Sequence, residues 1–216
     1  MTTDGNPAHA LAEGLQALGL DLPPQARAQL LAFLRILAEW NRAYNLTAIR
    51  EPLDMVRRHL LDSLTVLPQL RGERIVDLGS GAGLPGIPLA IADPGRHFML
   101  VESNGKKVRF MRHAIGQLGL SRVTVVQGRA ESVQLNPPPD TVVARAVADL
   151  ATLCGYVRQL GAPGVWLVAM KGPDVTAELA GVPADFAVQA VLPVVVPGLD
   201  AARHLVCLRL MDGESD

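Results

Sequence analysis

The sequence predicts an α/β fold, a mainly parallel seven-stranded sheet preceded by a small N-terminal helical lobe. Three observations predict it. The apolar pattern is helical through Leu70 and changes near residue 72 to short β-branched runs alternating with helical stretches. A glycine-rich turn, DLGSGAGLPG from Asp77 to Gly86, follows directly on the first of these runs. The last two runs are joined by PGLDAAR without a helix, which predicts an antiparallel hairpin at the sheet edge. Strands linked through helices of this length make right-handed crossovers, hence a parallel sheet covered on both faces. The expected division is 1–71 for the lobe and 72–216 for the α/β domain.

Taken in order, Leu11, Leu15 and Leu18 predict a short first helix. Pro23-Pro24 stands where a first helical turn tolerates proline, and Leu30, Phe33, Leu37, Trp40 and Tyr44 then line one face of a second helix. Val56, Leu60, Leu61, Leu64 and Leu67 predict a third, stopped by Pro68. The strand expectations are Arg74–Leu78, His97–Glu102, Arg122–Gln127, Thr141–Arg145, Gly164–Met170, Phe186–Val195 and His204–Leu210. Helices are expected at Ile87–Ala92, Gly105–Leu118 and Val147–Leu160.

Composition narrows the function classes. Of 216 residues, 49% are apolar and 19% charged, which suits a globular core rather than a disordered chain. The formal net charge of -1 excludes a general polycation, so any nucleic acid must meet a local basic patch. Cys154 and Cys207 have no metal-ligand spacing and are too few for a disulfide scaffold, so no metal is expected. The start MTTDGNPAHA lacks the basic and apolar regions of a signal peptide. The apolar stretch Ala187 to Ala202 is broken by Pro193 and Pro197, so no membrane span is expected. A cytoplasmic monomer is the default expectation.

The glycine turn asks which cofactor it holds. In the dinucleotide pattern G-x-G-x-x-G, Gly79 and Gly81 fit, but Leu84 takes the third place and Gly83 falls one residue early. With Asp77 ahead of it, the turn reads D-x-G-x-G-x-G and resembles the first motif of the Rossmann-like class I S-adenosylmethionine-dependent methyltransferases. The chemistry accords with that difference. Adenosylmethionine has no pyrophosphate to seat on a helix; an acid at the strand end offsets its ammonium, and glycines let backbone approach the carboxylate and ribose. Glu102 ends the second strand, about twenty residues past the turn, where the ribose hydroxyls of an adenosine arrive. Nicotinamide and methyl-donor cofactors both use that acid, so Glu102 supports adenosine without choosing between them. On these residues alone, a plain structural turn and a solvated acid remain open.

The acceptor atom is approached by exclusion. Methyltransferases of exocyclic amino groups carry an N/D-P-P-Y/F turn immediately after the fourth strand. Here NPPPD, Asn136 to Asp140, precedes that strand and lacks the aromatic, so it reads as a stiffened loop. The position after the strand holds Arg145 instead. Methylation at a pyrimidine carbon needs a thiolate in a positioned loop, whereas Cys154 lies in a helix pattern and Cys207 in a strand pattern. What remains is an acceptor with its own lone pair that needs no base, of which a purine N7 is one; the enzyme then chiefly orients and desolvates the reactants.

Eight segments then occur in order: WNRAYNLTAIR (Trp40 to Arg50), RRHLLDSL (Arg57 to Leu64), DLGSGAGLPGIPLAI (Asp77 to Ile91), ESNGKKVRFM (Glu102 to Met111), GRAE (Gly128 to Glu131), RAV (Arg145 to Val147), KG (Lys171-Gly172) and RHLV (Arg203 to Val206). Together they closely resemble the bacterial small-subunit ribosomal RNA guanine-N7 methyltransferases, the glucose-inhibited division protein B family. The resemblance spans nearly the whole chain, lobe included. It implies transfer of a methyl group from S-adenosyl-L-methionine to N7 of one guanine, guanine 527, in 16S ribosomal RNA near the decoding region. Carried over by position, Gly79 and Leu84 match the cofactor turn, Ala130 and Glu131 the adenine-side contact, and Arg145 an arginine of the cofactor and substrate pocket, here taken as catalytic; Gly81 in the same turn and Glu102 at the second strand's tip complete the expected cofactor contacts, Glu102 standing where relatives often have Asp.

For the RNA, Arg50, Arg57, Arg58 and His59 cluster in the lobe, Lys106, Lys107, Arg109 and Arg112 open the helix after Glu102, and Lys171 and Arg203 sit near later strand ends. Arg50, His59, Lys106, Lys107, Lys171 and Arg203 are the candidate contacts, with solvated faces as the alternative for any one of them. His59 and Asp62 read either as a site pair or as a hydrogen bond between helix turns. Four Phe, two Trp and two Tyr leave little aromatic surface for base stacking, so recognition is expected to lean on RNA shape.

Overall fold

The computed structural model describes residues 5–161 and 163–211. The N-terminal part holds α1 (Pro7–Ala17) and α2 (Pro24–Tyr44). Asn6 caps α1 by accepting the Ala8 amide, and Pro24 opens α2 at its first turn as expected. The third helix differs from its periodicity. It starts at α3 (Pro52–Met55), continues through a π-helical segment (Val56–Leu61) and closes as α4 (Asp62–Leu64). The wider winding brings His59, Leu60 and Leu61 into the buried set, and Pro68 falls inside a following 3₁₀ turn (Leu67–Gln69). Such π segments occur often at functional sites.

The remainder is β1 (Arg74–Leu78), α5 (Gly86–Ala92), β2 (His97–Glu102), α6 (Gly105–Leu118), β3 (Val123–Gln127), β4 (Thr141–Arg145), α7 (Leu150–Leu160), β5 (Trp166–Lys171), α8 (Thr176–Leu179), β6 (Phe186–Val194) and β7 (Arg203–Leu210). All seven expected strands are present, within one or two residues at their ends. The α7 helix starts three residues later than expected because Asp149 caps it, its carboxylate accepting the Thr152 amide at 2.7 Å. The single turn of α8 had no periodic signal.

The sheet runs β3-β2-β1-β4-β5-β7-β6. Every pair through β5 is parallel; β7 runs antiparallel to both β5 and β6. The expected hairpin is therefore present, with its second strand slotted inside and β6 left at the edge. Pro193 and an irregularity between Val188 and Ala190 interrupt that edge strand, as suits a position with unpaired backbone.

Alternation along the strands makes two cores. Ile75, Leu100, Val143 and Val168 face α5, α6 and the N-terminal helices, in one cluster with Phe33, Leu37, Leu61 and Phe110. Val76, Leu78, Val142 and Leu167 face α7, with Leu153 and Val157. The N-terminal helices thus share their core with one face of the sheet. Their third helix comes to the same end of the sheet as the last residues of β1, β2 and β4, where the candidate site lies.

Candidate active site

The glycine turn leaves β1 and enters α5. Gly79 and Gly81 have φ of +68° and +59°, a region closed to most side chains. At Gly79 a Cβ would come 2.7 Å from Val147 Cγ2, so the position is also closed sterically. At Gly81 the nearest atom would be Lys107 Nζ at 3.9 Å, so this backbone faces open space. Leu84 is buried, and its amide donates to the Ser80 carbonyl at 2.9 Å, closing the turn.

Asp77 braces the turn from beneath. It is 1% exposed; Oδ2 accepts the Gly86 amide at 2.8 Å, while Oδ1 is buried without a hydrogen-bond partner. Burial pushes this carboxyl up to about 6. Glu102 reaches over from β2: Oε2 accepts the Gly81 amide at 2.9 Å and Oε1 the Asn104 amide at 2.7 Å. Ser103 Oγ also reaches Oε1, at 3.5 Å, whereas Oε2 keeps a further lone pair. An open glycine backbone beside a buried acceptor fits an adenosine with a ribose diol, so these residues are able to hold the methyl donor.

Beside the turn is a cavity of about 380 Å³ lined by Ile49, His59, Asp62, Arg145, Lys171 and Arg203 among others, within the size range of small-ligand sites. Asp62, on the wall from the N-terminal helices, is buried. It binds two guanidinium groups, Arg145 Nη1 to Oδ2 at 3.2 Å and Arg203 Nε to Oδ1 at 3.3 Å. Arg145 Nη1 also donates to the Arg58 carbonyl at 3.1 Å. The next residue, Ala146, has φ +54°, a left-handed conformation costing roughly 1–2 kcal/mol for a residue with a Cβ. Such strain gathers at functional sites.

His59 and Asp62 do not form the pair their spacing suggested. His59 Nε2 lies 3.0 Å from Thr47 Oγ1, and Nδ1 is buried without a partner. Burial, then the Arg145 guanidinium, pushes His59 down to about 4, so the ring is neutral near pH 7. Lys171 is committed within the protein: its ammonium contacts Glu178 Oε2 and the Ala148 carbonyl, each at 2.6 Å.

The other candidates lie around this center. Lys107 overlooks Gly81, and Lys106 is exposed beside it on the first turn of α6. Arg50 is exposed and donates to Asn45 Oδ1 at 2.9 Å. Ala130 and Glu131 follow β3; Ala130 packs on the second core and Glu131 points outward, 3.6 Å from Arg129. Asp62 was not among the residues singled out for the cavity. Its only local signal was the spacing to His59, because its partners are 83 and 141 residues away. Among the described residues no helix is long and apolar enough to cross a membrane, and no group of three or more His, Cys, Asp or Glu side chains is placed to hold a metal ion.

A sheet ordered 3-2-1-4-5-7-6 with only β7 reversed, a glycine turn after β1 and an acid at the end of β2 define a class I methyltransferase fold. A solved glycopeptide N-methyltransferase, MtfA, superposes with a TM-score of 0.59 over 74% of this chain and 98% of its own, at 15% identity. The Pyrococcus abyssi tRNA (uracil-54, C5)-methyltransferase, solved with S-adenosyl-L-homocysteine, gives 0.51 over 68% and 36%, at 17% identity. The sequence goes further than the fold. Residues 26–206 match the family model GidB, rRNA small subunit methyltransferase G. The ribosomal RNA small subunit methyltransferase G of Nitrosospira multiformis is 47% identical over 94% of this chain and 98% of its own length. That of Pseudomonas syringae pv. syringae is 44% identical over 97% and 99%. The chain belongs to the rRNA small subunit methyltransferase G family.

Proposed function

We propose that this chain transfers the methyl group of S-adenosyl-L-methionine to N7 of guanine 527 in the 16S ribosomal RNA of the small subunit. The observation that carries the reading is the family match across residues 26–206, which takes in both the glycine turn and the arginine-lined cavity. In this reading the backbone of Gly79, Gly81 and Leu84 floors the cofactor cleft, Glu102 accepts the ribose hydroxyls, and Ala130 and Glu131 border the adenine. The bound cofactor supplies a methyl group activated by a sulfonium.

The side chains around the cavity suit an acceptor with its own lone pair. A guanidinium offers donors and no acceptor, so Arg145 orients and does not act as a base. It donates to the guanine O6 edge or to a phosphate and holds N7 in line. His59 is neutral and buried. Neither cysteine offers a thiolate: both are buried, Cys154 in α7 and Cys207 in β7, and burial pushes the Cys154 thiol up to about 11. Carbon methylation through a covalent intermediate has no nucleophile here. Arg50, Lys106, Lys107 and Arg203 form the RNA side, His59 backs the cavity wall against Thr47, and Lys171, tied to Glu178, shapes the strand end. Residues 1–71 act as a lobe that closes one wall of the cavity through His59 and Asp62. All these residues come from one chain, and the reading takes the protein to act as a monomer in the cytoplasm.

Mapping methylated nucleosides in 16S ribosomal RNA from cells with and without the protein tests this. The expected result is 7-methylguanosine at a single site, lost without the protein and restored by it. Arg145→Ala, correctly folded, should lower single-turnover methyl transfer by roughly 100-fold, the scale of removing one oriented donor. A methyl group on an exocyclic nitrogen or a ring carbon would overturn the N7 assignment.

A further inference from the structure

Composition suggested too few aromatic residues for base stacking, yet three rings are gathered at one point of the surface. The α2 and α6 helices pack antiparallel, since Gln29 near the start of α2 donates to the Leu118 carbonyl at the end of α6, while Trp40 reaches Phe110 and His113. The Trp40 ring lies 5.0 Å from His113 and 5.3 Å from Tyr44, at interplanar angles of 37° and 30°. Tyr44, the last residue of α2, is 42% exposed. It was expected on the same face of α2 as Leu30, Phe33 and Leu37; unlike them it is exposed, with Trp40 stacked against its ring.

The charge around it favours an anionic partner. Exposed Arg50 is tied to Asn45, the residue after Tyr44. Exposed Arg109 stands one turn before His113 on α6, toward the end of that helix nearer Tyr44. The position also leads to the cavity. Asn41 clasps Thr47 by two hydrogen bonds of 2.9 Å, and Thr47 Oγ1 lies 3.0 Å from His59. Tyr44 is three residues from Thr47, so their Cα atoms are at most about 11 Å apart. The platform is therefore two short steps, through Thr47 and His59, from the wall of the cavity that holds Arg145.

We propose that the exposed face of Tyr44 is a stacking platform for one unpaired base of the ribosomal RNA, a nucleotide flanking the target guanine. The inference rests on the RNA substrate reading above. Single-stranded RNA is gripped by splaying bases onto aromatic faces between cations that follow the phosphates. A ring already held by Trp40 loses little freedom when a base covers it.

The test uses the full-length protein and small subunits purified from cells that lack it, with KM and kcat measured as subunit concentration varies. Tyr44→Leu keeps apolar bulk and helix propensity and removes the ring; it should raise KM roughly 5- to 100-fold, the scale of one stacked base. Tyr44→Phe should stay near wild type, and adenosylhomocysteine affinity by calorimetry should be unchanged in both. Ultraviolet cross-linking of the wild-type complex should attach the Tyr44 peptide to a nucleotide. A wild-type KM in Tyr44→Leu, a Phe variant as impaired as the Leu variant, or attachment to a ribosomal protein would each overturn the platform. A wild-type protein that methylates no ribosomal RNA would overturn the substrate reading instead.

Discussion

Asp62 balances two cations that reach it from strands at opposite ends of the second half of the chain. A buried carboxylate is costly unless its charge is answered, and here Arg145 and Arg203 each answer one oxygen. The same contacts fix both guanidinium groups against the cavity wall. Asp62→Asn keeps the shape but offers one acceptor and no charge, so the two arginines repel and lose their shared orientation. Methyl transfer should fall roughly 10- to 100-fold, the scale of a charge-assisted hydrogen bond, with adenosylhomocysteine affinity unchanged. Single-turnover rates and calorimetry check the two halves, and a variant with the wild-type rate would show that the arginines need no splint. The difference between Asp62 and Glu102 also explains what was readable at this scale. Glu102 meets Gly81 across 21 residues of one β-turn-α-β unit, a spacing set by the unit itself. Arg145 was found from its place after the fourth strand. Asp62 meets Arg203 across 141 residues, and Lys171 is tied to Glu178 on a one-turn helix without periodicity. No local pattern encodes such pairs.

The β1–turn–α5 unit is where local sequence and chemistry agree most closely. Asp77, next to last in the strand, sets its carboxylate on the Gly86 amide, and Glu102 holds the Gly81 amide, so the loop is pinned at two points while Gly81 faces open space. Gly81→Ala adds a methyl group exactly on that open face. No neighbour obstructs it, but φ of +59° adds roughly 1–2 kcal/mol of strain. The variant should fold, with a melting temperature lowered by a few degrees, on the order of ΔΔG divided by the unfolding entropy. Adenosylhomocysteine binding should drop at least tenfold. Binding at wild-type affinity would place the cofactor elsewhere. Elements with a clear period were legible in the same way: seven strands, the long α2 and α6, and the crossover order. The π-helical segment was not, because its apolar residues read equally well as an ordinary helix. The start of α7 was missed because Ala148 continues the helical pattern while Asp149 stops it by capping.

At the level of the whole molecule, the N-terminal helices and one face of the sheet share a core, and two titrating groups are buried on either side of that junction. Asp77 rises from 3.8 to about 6 through burial, and His59 falls from 6.5 to about 4 through burial and then Arg145. Their effects on stability have opposite signs. The folded state binds the Asp77 proton more tightly than the unfolded chain, so that contribution is full below 3.8 and lost as pH rises through about 6. The folded state prefers neutral His59, so its contribution is full above 6.5 and lost as pH falls through about 4. Each amounts to about 3 kcal/mol at most. Between pH 4 and 6.5 the two slopes oppose one another, and the wild-type urea midpoint should change little from these groups. Asp77→Asn, whose amide oxygen still accepts from Gly86, leaves the His59 slope alone, so its midpoint should fall as the solution is acidified across that window. His59→Gln leaves the Asp77 slope alone, so its midpoint should rise over the same range. Urea unfolding at half-unit pH steps reads all three proteins, and parallel profiles would show that neither group is held away from its ordinary protonation in the folded chain.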